Sequence, residues 1–95
     1  MRNEKTSALR ADLQAHFDED LSRIQEFLRQ PCIPSDNIGC RESAELLLRY
    51  YRELGCQEAE LIETPSGRPG VFAYLDCGAP KTIVSYCMLD TKPAD

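Results

Sequence analysis

The chain has 95 residues and a formal net charge of −5, with 11 Lys and Arg against 16 Asp and Glu. A chain of this length forms one small domain with a modest hydrophobic core. The acidic balance argues against nucleic acid and anionic membrane surfaces as partners, because clustered Lys and Arg bind both. The longest near-apolar run, residues 82–89, is far shorter than the roughly 20 residues that a membrane-spanning helix requires.

Cysteine and histidine usage limits the reactive groups. The chain contains five cysteines and no Cys-x-x-Cys motif: Cys32, Cys40, Cys56, Cys77 and Cys87. Residues 1–6 have no apolar stretch behind their charges, so they do not resemble a secretory signal. We therefore expect a cytoplasmic protein with reduced thiols that serve as small, partly buried apolar side chains. The single histidine, His16, falls in a helical pattern and is expected at the surface, which gives a Cys/His catalytic pair or metal cluster little support.

A helical pattern covers residues 7–30. Its apolar side chains recur at spacings of three and four: Leu9, Leu13, Phe17, Leu21, Ile24 and Leu28. Thr6 or Ser7 is a candidate N-cap, and the acidic run 18–20 is a candidate break followed by a second helix from about Leu21. The helix is expected to end before Pro31.

A loop and another helix follow. Residues 31–40 are rich in Pro, Gly, Asn and Asp, which is typical of a loop. Residues 41–54 form a predicted helix that stops at Gly55. Its apolar stripe consists of Ala44, Leu47, Leu48, Tyr51 and Leu54.

The second half of the chain predicts three strands. Residues 58–63 and 71–75 flank a turn and form a predicted hairpin. Residues 82–87 are apolar on both parities, which is typical of a central strand covered on both faces. The predicted fold class is α/β: two N-terminal helices, a β-hairpin and a buried central strand, with the helices covering the sheet. Because an apolar last strand at a sheet edge leaves an open pairing site, we expect the chain to be the opening portion of a larger domain.

Asp90 is the candidate functional residue. It follows the predicted third strand, and sites in open α/β sheets gather at the carboxyl ends of strands. Taken alone, an aspartate after a strand is more often a turn former or a helix cap.

Four blocks of the sequence together resemble a known family. Residues 86–95, Tyr-Cys-Met-Leu-Asp-Thr-Lys-Pro-Ala-Asp, are similar to the Tyr-Gly-His-x-Asp-Val-Gln-Pro-Ala block of the dizinc metallopeptidases and amidohydrolases. Those enzymes include carnosine and nonspecific dipeptidases, carboxypeptidase G, aminoacylases and acetylornithine deacetylase. The Ile33-Pro34-Ser35 loop, the helix that ends in Leu54-Gly55 and the 65–74 hairpin resemble further blocks of that family, in the same order.

The resemblance implies an N-terminal part of a zinc-peptidase-like catalytic domain with a mixed sheet. In the family, the His of His-x-Asp is the first metal ligand, and the Asp holds that imidazole in orientation, as carboxylates behind metal ligands do. By position that aspartate is Asp90, while Met88 stands in the place of the histidine and Cys87 in the place of the usual glycine. The resemblance implies zinc as cofactor, dipeptides or N-acyl amino acids as substrates and a possible homodimer of the full-length protein. The family's other ligands and its catalytic glutamate are expected beyond residue 95.

The methionine leaves three interpretations open. A thioether is a soft, neutral and poor ligand for a zinc site built from nitrogen and oxygen. The chain could belong to a subgroup that tolerates Met88, it could be a decayed copy without activity, or Met88 could simply pack in a changed pocket. The two functional hypotheses are a metal-dependent dipeptidase or amidohydrolase whose isolated 95-residue chain is inactive, and a non-catalytic module that acts through self-association or partner association.

Overall fold

The computed structural model describes residues 2–93, which form helices followed by a two-stranded antiparallel hairpin. The elements are α1 (Arg2–Ala15), α2 (Phe17–Arg29), a 3-10 turn (Pro34–Asp36), α3 (Cys40–Leu54), β1 (Glu58–Ile62) and β2 (Gly70–Tyr74). Glu58 faces Tyr74 and Ile62 faces Gly70 across the hairpin. The mixed α/β class, the loop, the α3 helix and the hairpin are confirmed. Among residues 2–93, no helix combines the length and apolarity needed to cross a bilayer.

The long N-terminal helix bends at His16 and not at the acidic run. His16 has φ −107° and ψ 11°. Its Nδ1 lies 2.9 Å from the Asp12 carbonyl oxygen, which also accepts the His16 backbone N–H at 3.1 Å. A side chain that enters the helical hydrogen-bond ladder in this way is a regular cause of a kink. Residues 18–20 lie in the first turn of α2, where the helix dipole favours negative charge.

The start of α1 also differs from the prediction. The helix already includes Arg2, so Thr6 and Ser7 lie within it and neither is its N-cap. His16 itself is exposed, as predicted. The Asp12 carbonyl and carboxylate raise the pKa of its imidazole, the hydrogen bond to the carbonyl contributing most.

Helix α2 packs on α3 through polar side chains. Arg49 donates to the Glu26 carboxylate at 2.9 Å, and the Tyr50 hydroxyl donates to the same carboxylate. These two bonds, that from Tyr50 first, lower the pKa of Glu26. The apolar stripe predicted on α1 and α2 is exposed along its whole length: Leu9, Leu13, Phe17, Leu21, Ile24 and Leu28. The expectation that both predicted helices cover the sheet is therefore wrong for the first of them.

Helix α3 covers the hairpin and supplies most of the core. Ala44 and Leu48 are buried, while Leu54 at the helix end is exposed. Gly55 adopts the left-handed conformation (φ 96°) that ends the helix, as predicted. Arg41 at the start of α3 makes a two-pronged contact with Glu63 just after β1, with N–O distances of 2.9 and 2.8 Å. This contact fixes the direction of the hairpin relative to the helix.

The predicted third strand does not form, and this prediction is wrong. Residues 82–87 pair with neither strand, and Ile83 and Val84 are 89% and 90% exposed. After β2 the Gly78 N–H donates to the Asp76 carboxylate, and the chain leaves the hairpin there. A strand apolar on both parities is buried only where neighbouring strands pair with its edges and layers cover both faces. Among the described residues, the hairpin has two strands only, and α3 covers one of its faces.

The irregular character of residues 82–87 predicts their hydrogen exchange. We expect their backbone amides to exchange nearly as fast as amides of an unfolded peptide, because they lack backbone partners. The amides that bond across the ladder between β1 and β2 provide the internal comparison. Amide exchange followed by nuclear magnetic resonance measures both sets in one sample. Slow exchange at Ile83 and Val84 would mean that these residues pair as a strand after all.

The contact between Glu26 and its two donors predicts an acid-sensitive helix packing. Since the folded pKa of Glu26 is below its ordinary value of 4.5, the contribution is complete above that value and is lost as the pH falls through the lowered pKa. We expect Glu26→Gln to be less stable than the wild type near neutral pH, with the difference vanishing in acid. Urea unfolding across the acid range measures this. Asp18→Asn removes one negative charge from α2 as well but keeps the Glu26 bonds. It should therefore still lose the stability contributed by Glu26 as the pH falls, as the wild type does.

Candidate functional site

The loop between α2 and α3 is a small antiparallel turn. Ile33 and Ile38 exchange both backbone hydrogen bonds, with N–O distances of 2.9 and 3.1 Å. The 3-10 turn of Pro34–Asp36 lies between them, and Asn37 takes the left-handed conformation (φ 54°) that asparagine tolerates. The Ile-Pro-Ser block therefore lies in an ordered loop and not in a loose connection.

Gly39 lets this loop turn directly into α3. Its φ is +69°, and a Cβ built on it would lie 2.0 Å from the Pro31 carbonyl oxygen. No side chain other than hydrogen fits there, because both the backbone angle and the space exclude a Cβ. The close approach of Gly39 to Pro31 brings the first residue of α3, Cys40, back beside the start of the loop.

The C-terminal segment is joined to the same loop by Thr91. The Thr91 backbone N–H donates to the Cys32 carbonyl oxygen at 2.8 Å, and its hydroxyl contacts the same oxygen at 3.2 Å. This pair of hydrogen bonds spans 59 positions of sequence. It places the residues just before Thr91 against the loop and the hairpin turn, although they form no strand.

These parts enclose an open cavity of about 440 Å³. That volume falls within the range of small-ligand sites. The lining comes from the loop, α3, the hairpin and the C-terminal segment: Cys32, Pro34, Cys40, Leu47, Tyr51, Thr64, Arg68, Pro69, Gly70, Val71 and residues 85–90. Pieces of four sequence blocks, separated along the chain, thus meet at one cavity.

Asp90 and Met88 both line this cavity. Met88 is 75% exposed, and Asp90 is exposed as well. Residues 2–93 contain no group of three or more His, Cys, Asp or Glu side chains placed to hold a metal ion. Met88 offers only a soft thioether, and Asp90 has no imidazole beside it to orient. The side chains present therefore do not fit a zinc site of the nitrogen and oxygen type.

Two buried thiols lie next to Asp90. Cys32 and Cys40 are 5% and 9% exposed, and Ser43 is buried beside them. Burial raises the pKa of the Cys32 thiol to about 11, with further increases from Cys40 and from the charge of Asp90. The Ser43 hydroxyl makes no hydrogen bond of regular geometry, yet its proximity to the Cys32 sulfur offsets a small part of that increase. The Cys32 thiol is consequently protonated at neutral pH.

The cysteine prediction is confirmed for part of the set. Cys32 and Cys40 are buried, and Cys56 is half-buried, as expected for small apolar side chains. Cys77 and Cys87 are exposed instead.

Arg68 is a cavity residue that the sequence did not single out. It follows Gly67 in the hairpin turn, and the Thr64 hydroxyl donates to the Arg68 carbonyl oxygen at 2.8 Å. This bond holds the backbone of Arg68, which lines the same cavity as Asp90. In the sequence it stood only within the Gly67-Arg68-Pro69 turn of the family-like hairpin block, and no role was assigned to it there.

Comparison with known proteins gave no match. No family model fits the chain, and no curated protein and no solved structure is significantly similar to it. The resemblance to the dizinc metallopeptidases and amidohydrolases therefore depends on the four sequence blocks.

The Gly39 constraint can be tested by stability. We expect Gly39→Ala to lower the free energy of unfolding by about 3 kcal/mol or more, since it combines a left-handed φ with overpacking against Pro31. Gly67→Ala is the matched control, because Gly67 has φ +78° and open space around it. It should cost only about 1 kcal/mol. Urea unfolding monitored by circular dichroism measures both, and equal losses would contradict the close-packing argument.

Proposed function

We propose that residues 1–95 contribute the N-terminal portion of the catalytic domain of a metal-dependent dipeptidase or amidohydrolase. The reaction of that class is hydrolysis of an amide bond in dipeptides or N-acyl amino acids. The isolated chain is inactive under this proposal, because residues 2–93 place no group of three or more His, Cys, Asp or Glu side chains to hold a metal ion.

The convergence of the family-like blocks on one cavity carries this proposal. Pro34 of the loop block, Arg68 and Pro69 of the hairpin block and Asp90 of the C-terminal block all line it. Nothing in the sequence order requires segments so far apart to meet. An enzyme that uses these blocks to build a site requires that they do.

Arg68 gives the proposal a substrate feature. Dipeptides and N-acyl amino acids carry a free C-terminal carboxylate, and a guanidinium pairs with a carboxylate through two parallel hydrogen bonds. The backbone that carries Arg68 is held in the turn by the Thr64 hydroxyl. In the proposed domain Arg68 binds the substrate carboxylate, and Asp90 lies across the same cavity.

Zinc remains part of the proposal only for the larger domain. Metal-bound hydroxide is the nucleophile that such a domain supplies, and its ligands must come largely from outside residues 2–93. Asp90 is the one residue of this chain assigned by position to the metal site. With Met88 in place of the histidine, Asp90 has no ligand to orient within the described residues.

Activity assays test the inactivity of the isolated chain. We expect the purified 95-residue polypeptide, supplied with zinc or manganese, to hydrolyse dipeptides and N-acyl amino acids no faster than the buffer does. A full-length dipeptidase serves as the positive control in the same assay. Turnover above the blank that scales with polypeptide concentration would contradict the assignment of the missing groups to another part of the domain.

The coding sequence after residue 95 tests the proposal itself. Continuation of the reading frame into Asp-Gly and Glu-Glu blocks at family spacing would support a catalytic domain. A stop codon at that point in the messenger RNA would contradict it.

A non-catalytic module is the second candidate, and the exposed apolar surface favours it. Ile83, Val84 and Tyr86 are largely exposed, as is the stripe on α1 and α2. Exposed contiguous apolar surface marks an interaction site. Sedimentation velocity over a range of concentrations distinguishes a self-associating module from a monomer.

A further inference from the structure

We propose that Cys32 and Cys40 form a reversible disulfide with glutathione disulfide as oxidant, and that this bond fastens the loop to the start of α3. The proposal does not depend on the function proposed above. It concerns a covalent modification site within the loop that precedes α3.

The backbone of the loop brings the two cysteines together. Ile33 pairs with Ile38 in an antiparallel bridge, so Cys32 lies opposite Gly39, one residue before Cys40. The close approach of Gly39 to the Pro31 carbonyl draws the two arms of the loop tightly against each other at this end. Directly opposed residues of an antiparallel pair have Cα atoms roughly 4.5–5.5 Å apart, which is within the range of a disulfide, and Cys40 is the next residue after the one opposed to Cys32.

The side chains of the two cysteines also meet. Both are buried, and both line the same cavity. The Cys40 thiol lies 3.7 Å from the Ile38 carbonyl oxygen, to which it donates. The same carbonyl oxygen accepts the Ile33 N–H from the facing arm, so the Cys40 sulfur lies beside the bridge between the two arms. Cys40 is the side chain whose hydrogen bond and charge act on the Cys32 thiol, so the sulfurs are direct neighbours.

The reaction balances with glutathione disulfide alone. One cysteine loses its proton, and the thiolate attacks a sulfur of glutathione disulfide, which releases one glutathione thiolate and leaves a mixed disulfide. The second cysteine then loses its proton and attacks the protein sulfur of that mixed disulfide, which releases the second glutathione. Two protein thiols are oxidised, one glutathione disulfide is reduced to two glutathione thiols, and the two protons pass to the released thiolates.

Burial makes oxidation of these two thiols slow at neutral pH. The raised pKa of Cys32 keeps its thiolate scarce at neutral pH, so oxidation should accelerate as the pH rises toward about 11. The cavity gives the oxidant a path to the sulfurs. The disulfide would also lie next to the contact with the C-terminal segment, because the Cys32 carbonyl accepts the Thr91 N–H.

Peptide mapping of the full chain in a glutathione redox buffer tests the proposal. Trypsin cleaves after Arg29 and Arg41, so the peptide 30–41 contains both cysteines and no other. We expect this peptide to lose two hydrogens in the oxidised buffer, to resist alkylation and to recover both thiols in excess reduced glutathione. Its oxidation constant in the native state should exceed that in concentrated urea by about tenfold or more, because folding holds the sulfurs together.

Three outcomes would overturn the proposal. They are a peptide 30–41 that stays fully alkylated, one that ends as a stable mixed disulfide with glutathione, and one whose oxidation constant is the same in urea as in native buffer. Cys40→Ser should abolish the loss of two hydrogens from this peptide, while Cys77→Ser, at an exposed position, should leave it unchanged. The comparison between native buffer and urea uses the wild-type chain, so it remains decisive even if Cys40→Ser does not fold.

Discussion

At Gly39 the backbone passes so close to Pro31 that a Cβ would lie 2.0 Å from the carbonyl oxygen. That approach turns the chain from the loop into α3 and sets Cys40 beside Cys32. It also fixes the carbonyl of Cys32, which accepts both hydrogen bonds from Thr91. Helix, loop and C-terminal segment are therefore oriented by one glycine and one backbone oxygen, and the cavity between them exists because of both.

The molecule is lopsided as a result. Its core is small and concentrated where α3, the loop and the hairpin meet: Cys32, Cys40, Ala44 and Leu48. The N-terminal helices extend from this core, held by the polar contacts of Glu26 and Arg49, and their apolar stripe faces away from it. The radius of gyration, 16.1 Å, exceeds the value of about 12 Å expected for a compact chain of this size. Large exposed apolar patches mark interaction sites, and both functional proposals accommodate such a surface.

Local patterns were sufficient to predict the local structure. The periodicity of residues 41–54, the Gly55 stop and the turn residues around Gly67 specify α3 and the hairpin almost to the residue, because each depends on neighbours in sequence. The break at His16 was missed because a single side chain competes there for the Asp12 carbonyl, an effect that composition hides. The third strand failed for a different reason. Burial on both faces of residues 82–87 requires neighbouring strands that the described residues do not provide.

The candidate site divides in the same way. Asp90 was identified by its position in a family-like block, and it does line the cavity. The meeting of Asp90 with Cys32 and its sharing of a cavity with Arg68 were not predicted, since the approach of the C-terminal segment to the loop involves the long-range bond from Thr91 to Cys32. No periodicity or spacing encodes a contact across 59 positions. The resemblance to metallopeptidases and amidohydrolases rests on the order of four blocks along the sequence. That residues of these blocks line one cavity is seen only in the folded chain.

The claim that the C-terminal segment lies against the loop is tested most directly at the contact between Thr91 and Cys32. Nuclear Overhauser effects can be measured between the Thr91 amide proton and the protons of Cys32 and Ile33 in the wild-type chain. We expect clear cross-peaks between these residues, together with a Thr91 amide shift displaced by hydrogen bonding. Absence of cross-peaks, with random-coil shifts at Thr91, would mean that the C-terminal segment does not lie against the loop. In that case the family-like blocks would not share a site.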